Sequence, residues 1–200
     1  AELRRAAALL GVGAVELLGF RDSGMSGDAG PTTLVGADQD AVRDAVRRHL
    51  ERLRPDVVVT LDAGDGHRDH AAIRDATLAA VDAAAAAGEV DPTVYLHCLP
   101  RSIMTRWAEH MASTDPSWEH LRQAELGTPD ERVTTVLDTR EHLETRVAAM
   151  AEHRSQRSPF DGLPRELFED FLTREHLVRV RPAGGGGEVE TRLAGSRARL

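Results

Sequence analysis

At 200 residues with 29% charged and a formal net charge of −8, the chain is sized for one domain able to bury roughly 70% of its unfolded surface. Its acidic and basic residues are interspersed, which argues against general nucleic-acid binding. No apolar run nears the roughly 20 residues of a membrane span, and no signal-peptide pattern is visible. All 25 basic residues are arginine, which excludes Schiff-base catalysis and a P-loop, and the one cysteine, Cys98, cannot form an internal disulfide, so a cytoplasmic location is expected.

Glu2 to Leu10 has helical periodicity, with Leu3, Ala6, Ala7 and Leu10 on one face and Gly11 as the stop signal. Val15 to Phe20 reads as a short strand running into the Gly/Ser loop 21–27, and 27–37 is turn-rich. Asp40 to Leu53 is an amphipathic helix. After Pro55, Val57-Val58-Val59-Thr60 is a buried β-branched strand. It turns through Gly64 and Gly66 into an Ala-rich helix, 71–87, closed by Gly88. Thr93 to Leu99 is a strand, 101–130 a mixed insertion with two tryptophans, and Val133 to Leu137 another strand. A helix capped by Asp138 or Thr139 runs to about Glu152. A polar loop over 155–165, a short helix over 166–172 and a last strand, His176 to Val180, complete the domain. After Pro182 the glycine run 184–187 opens a tail expected to be flexible. Strand–helix alternation of this kind implies an α/β fold with a mostly parallel sheet.

Chemistry concentrates where the Val57 strand ends, because ligands of open α/β sheets bind at the carboxyl ends of strands. There His67-Arg68-Asp69-His70 brings two imidazoles and a carboxylate together. Neutral imidazole suits zinc, and a carboxylate can ligate the ion or hold a histidine in one tautomer. With Gly66 just before them the two histidines straddle a loop-to-helix turn, so only one need face a metal. The other is then free to bind substrate or act as an acid. The competing reading is a polar start to a helix. Arg21-Asp22-Ser23-Gly24 also follows an expected strand; its Arg–Asp pair can bind sugar hydroxyls, or Asp22 can simply close a turn on its own backbone. Glu152-His153-Arg154-Ser155-Gln156 ends a helix, where the dipole favours a histidine whatever its role. His97, in an apolar strand, reads as a satisfied core or near-core histidine.

These segments together resemble the PIG-L/LmbE-like zinc deacetylases, which remove acetyl groups from N-acetylglucosamine-type sugars. Residues 2–27 resemble the family's "EL…AA..LGV…LG..DSG" segment, 53–81 resemble "RP.VV.T.D..GG.GHPDH", and 143–156 resemble the closing "K..AL..H.SQ" helix. The resemblance implies a Rossmann-like three-layer α/β/α sandwich over residues 1–182. It implies His70 as a zinc ligand, Asp69 as the residue orienting catalytic groups, and His67 as the acid or the charge-stabilising residue. Asp22, and more weakly Arg21, would bind the sugar. The substrate would be a small-molecule amino sugar, with oligomeric state left open. Alternatives are an amidase acting on sugar–thiol conjugates and a non-catalytic sugar- or partner-binding remnant of the fold.

Three departures stand out. The family's other two zinc ligands and its base lie in an Ala-His-Pro-Asp-Asp motif that these 200 residues lack. With Ala1 in place of methionine, this suggests a chain beginning partway through a longer protein, one that would bind zinc poorly and hydrolyse little alone. Arg68 stands where proline is usual, adding bulk and charge at the metal edge. Asp65 stands where several relatives carry an aromatic residue.

Overall fold

A computed structural model describes residues 1–184 and 187–195. In chain order the elements are α1 (Glu2–Leu9), α2 (Gln39–Leu53), β1 (Val57–Leu61), α3 (Arg68–Ala86), β2 (Thr93–Cys98), α4 (Arg101–Thr114), β3 (Thr135–Asp138), α5 (Leu143–Ala151), α6 (Arg165–Leu172) and β4 (Arg174–Arg181). A short 3-10 segment, Pro116–Gln123, follows α4, and another, Arg140–His142, precedes α5.

The four strands form one open sheet in the order β1-β2-β4-β3. Only β1 and β2 run parallel, Val57 opposite Thr93 through Leu61 opposite His97. β4 lies antiparallel to both β2 and β3. The sheet is therefore mixed rather than mostly parallel. The reason is the last strand: it follows α6 directly, with Thr173 alone between them, and returns between β2 and β3 instead of crossing over to extend the parallel pair. The 15–20 segment forms no strand either. Among the described residues it meets no sheet neighbour, and Leu17 stays 69% exposed; a short apolar run is a strand only when something pairs with it.

Side-chain alternation along β2 divides the packing. Val94 joins Val58 against Leu50 of α2 and Ala80 and Val81 of α3. Leu96 and Cys98 pack with Val178 and Val133 on the same side. Tyr95 and His97 point the other way. Next to His97, a cavity of about 570 Å³ is walled by α1, α5 and α6 residues, among them Ala6, Ala149, Met150 and Phe171. A second apolar cluster, Met104, Leu167, Phe171 and Leu172, joins α4 to α6 and takes in Leu143 and Met150 of α5.

The two edges of the sheet end differently. At the β3 edge, the segment after β4 comes back. Glu190 pairs with Thr135 in parallel, donating its N–H to Thr134 O and accepting from Val136 N, each at 2.8 Å. Its carboxylate accepts from Thr135 Oγ1 at 2.9 Å and meets the Arg179 guanidinium at 2.8 Å. Residues 185–186 and 196–200 of the expected flexible tail lie outside the described residues. At the opposite edge, β1 pairs only with β2 among the described residues, and Val59 is 50% exposed.

Candidate active site

The site is built on the turn from β1 into α3. Asp62 N–H donates to His97 O at 2.9 Å, extending the β1–β2 pairing by one rung, and Thr128 Oγ1 donates to the Asp62 carboxylate. Gly64 O accepts from Gly127 N, and a Cβ at Gly64 would sit 3.1 Å from Thr128 Oγ1 and 3.2 Å from the Gly127 carbonyl carbon. Only glycine lets these two loops approach so closely without displacement.

α3 begins at Arg68, three residues before the periodicity suggests, because His67 caps it. The His67 ring Nδ1 accepts the Asp69 backbone N–H at 3.2 Å, with His67 itself extended at φ −75°, ψ 120°. A nitrogen that accepts carries no proton, so the neutral ring has its proton on Nε2. That Nε2 lies 3.7 Å from Asp22 Oδ2. One turn on, His70 stacks over His67, ring centroids 4.7 Å apart. Asp65 serves both histidines: its Oδ1 accepts from His67 N at 3.0 Å and its Oδ2 lies 2.6 Å from His70 Nδ1. A carboxylate on Nδ1 leaves Nε2 as the His70 nitrogen available to a metal, the usual arrangement of a ligating histidine.

Asp69 is 8% exposed. Its Oδ2 accepts from Ser23 N at 2.9 Å, which draws the 21–27 loop onto the helix. Burial pushes this carboxyl up, but the Ser23 hydrogen bonds, joined by the charge of Arg68, outweigh it and hold the group below the usual carboxylate range. Its Oδ1 is buried and, among the described residues, has no hydrogen-bond partner. Leaving an ionised oxygen so placed without a partner is costly. Asp22, His67 and Asp69 each bring a ligand atom within 4.8 Å of the others.

The two sequence candidates thus converge: loop 21–27 and turn 67–70, some 45 residues apart in the chain, meet through Asp22, Ser23 and Asp69. Asp22 closes the turn on its own backbone, accepting from Gly24 N at 2.7 Å, as the turn reading of that residue expects. Among the described residues Arg21 enters through its main chain, bonded to Thr32 and Leu34, and its side chain is exposed. His70 lies beside the Asp22–His67–Asp69 group without belonging to it. His153 is elsewhere, lining the cavity on the other side of the sheet, and Glu152 and Ser155 tie α5 to Arg5 and Glu2 of α1. His97 pairs with Glu175 at 2.8 Å, as a satisfied histidine should. Sequence reasoning gave no role to Ser23 at this site, and left Asp62 and Asp65, in the same loop as His67, open to supporting the site or simply making the turn. Nor did it foresee where the Arg68 side chain goes: away from the histidines, into the carbonyls of the 23–27 loop. No local pattern announces that contact, since its partners lie more than 40 residues away.

Known proteins resemble this chain in sequence. The family model described as "PIG-L: GlcNAc-PI de-N-acetylase" matches residues 1–81, which include both halves of the site. The chain is 33% identical over 213 residues to a protein of Rhodococcus jostii named 1D-myo-inositol 2-acetamido-2-deoxy-alpha-D-glucopyranoside deacetylase, covering 96% of this chain and 73% of that one. A protein of the same name from Geodermatophilus obscurus is 36% identical over 211 residues, covering 92% and 71%. One from Thermomonospora curvata is 30% identical over 217 residues, covering 97% and 73%. With its loop and turn joined through Asp69, and relatives of this identity along almost its whole length, the chain belongs to the PIG-L/LmbE-like family of N-acetylglucosaminyl deacetylases.

Proposed function

We propose that this protein removes the acetyl group from an N-acetylglucosamine-type sugar, with zinc as its metal and an inositol glycoside, as in the names of its relatives, as the substrate class. The observation that carries the reading is the buried Asp69 carboxylate, which has one oxygen without a partner among the described residues and shares a cluster of ligand atoms within 4.8 Å with Asp22 and His67. The residues present fit a divalent cation: that oxygen lacks a partner, and His70 has Nδ1 held by Asp65 with Nε2 left for a ligand bond. Of these residues, His70 would hold the ion. Bound zinc supplies the Lewis acidity that brings the pKa of a water to about 7 and polarises the acetyl carbonyl.

The rest follows from side-chain positions. Asp65 fixes the His70 ring. Asp69 orients the reacting groups, its ionised form secured by Ser23. His67, with its one proton on Nε2, donates to the oxygen that gains charge as the amide carbonyl becomes tetrahedral. Its Nδ1 is committed to the helix, so the proton at Nε2 is the one it can give. Asp22 accepts from sugar hydroxyls and so sets the orientation of the acetamido group. In this reading residues 1–182 belong to a Rossmann-like α/β/α domain, with α2 and α3 on one side of the sheet and α1 and α5 on the other. A cytoplasmic location accords with a single, buried Cys98.

The test is acetate release from a 2-acetamido-2-deoxyglucosyl inositol by the polypeptide expressed from its complete reading frame. Stoichiometric acetate and free amine are expected, lost on chelation and restored by zinc. No acetate overturns the reaction; full activity in chelated, metal-free protein overturns the zinc.

A further inference from the structure

We propose that Arg68 is a positioning residue: its guanidinium holds the 23–27 loop in the one arrangement that sets Asp22 beside His67. The proposal rests on the function just given for Asp22 and His67. Arg68 Nε donates to Gly24 O at 2.8 Å, Nη1 to Gly27 O at 2.7 Å, and Nη2 to Ser26 O at 3.2 Å and to Ser23 O. Four of the five carbonyls of Ser23-Gly-Met-Ser-Gly27 therefore converge on one side chain. A guanidinium carries five N–H donors in a rigid plane and accepts nothing, so it matches a ring of carbonyls that a lysine ammonium cannot reproduce.

The loop has little else to order it. Met25 is exposed, as are Ser26 and Gly27, and two of its five residues are glycine. Its other anchors are Asp69, which takes the Ser23 N–H, and the Ser23 hydroxyl, which accepts from Val35 N at 3.0 Å. Adjacent residues of one helix thus grip the loop by opposite poles, Arg68 by its carbonyls and Asp69 by its amide. Asp22 is the residue before Ser23, and its carboxylate reaches His67, the residue before Arg68. Without the grip at Ser23–Gly27, the loop samples arrangements in which Asp22 is not there to receive the sugar.

The backbone makes the experiment clean. Arg68 is the first residue of α3, where proline is well tolerated. His67 already has the extended conformation that a residue before proline prefers. Arg68→Pro therefore removes the grip and spares the helix. If the binding-competent loop falls to about a tenth of the population, apparent affinity falls by the same factor while bound substrate turns over normally. The expected result for Arg68→Pro and Arg68→Lys is a KM about tenfold higher with kcat within about twofold, together with faster amide exchange confined to residues 22–27. In Arg68→Ala, added ethylguanidinium should lower KM again. Wild-type KM in both Arg68→Pro and Arg68→Lys overturns the proposal, as does a raised KM with unchanged loop exchange. If the wild-type protein releases no acetate, the functional reading falls; unchanged loop exchange in Arg68→Pro would then overturn the grip as well.

Discussion

Two clusters of histidine, carboxylate and arginine sit at the same end of this sheet, one at the β1–α3 turn and one between β2 and β4. They differ in what is left over. Glu175 has both oxygens engaged, Oε2 with His97 Nε2 at 2.8 Å and Oε1 with Arg146 Nη2 at 2.5 Å. Arg146 in turn donates to Thr139 Oγ1 and Leu172 O. Every strong group there has a partner, and the cluster ties α5 to β4. At the turn, Asp69 spends one oxygen on Ser23 and leaves the other buried and unpaired. The two clusters are alike in residue types and differ in unspent hydrogen-bonding capacity.

Substitution can break or sharpen that contrast. The largest effect should come from His67→Ala, which removes the Nε2 proton: a fall in kcat of about 10²- to 10⁴-fold for acetate release. A variant within threefold of wild type would remove His67 from the chemistry. Asp69→Asn should lower kcat/KM by about 10- to 100-fold and reduce bound zinc as measured by elemental analysis. Retention of both would mean the orphaned oxygen is idle. Asp65→Ala releases His70 Nδ1 and should weaken zinc binding by about tenfold, read by competition with a chromophoric chelator.

Glu175→Gln should leave kcat and KM untouched and cost about 1–3 kcal/mol of stability, a drop in Tm of about 2–4 °C per kcal/mol. Burial raises the Glu175 carboxyl, but the hydrogen bond from His97 and the charges of His97 and Arg146 outweigh it and hold it below its ordinary 4.5. A carboxyl depressed in the folded state stabilises fully above its unfolded value and loses that contribution as pH falls through the folded one. The stability gap between wild type and Glu175→Gln should therefore be widest above about pH 4.5 and close in stronger acid. A gap that widened on acidification would reverse the assigned sign.

Much of the site was legible in the sequence because its parts are short and carry their own chemistry. The β-branched run of β1, the glycine turn and the two imidazoles are local signals, and Asp22-Ser23-Gly24 is another. Their meeting was not legible, since the bond from Ser23 N to Asp69 joins residues 46 apart. The parallel β1–β2 pair with α3 between them followed from alternation. The antiparallel place of β4 did not, because a strand's pattern records which face is buried and says nothing of its neighbour. The start of α3 was misplaced because a histidine ring nitrogen, rather than a hydroxyl or carboxylate, is the cap. Arg68 was read as charge added to the metal edge; its charge does act on Asp69, but its binding to four loop carbonyls was not foreseen.

The return of the chain at the β3 edge has a protective consequence. Glu190 takes up the Val136 N–H and the Thr134 carbonyl, two outward main-chain groups of the β3 edge that another molecule would otherwise be able to pair with. An internal strap of this kind blunts edge-to-edge association at that point without covering the strand by a helix.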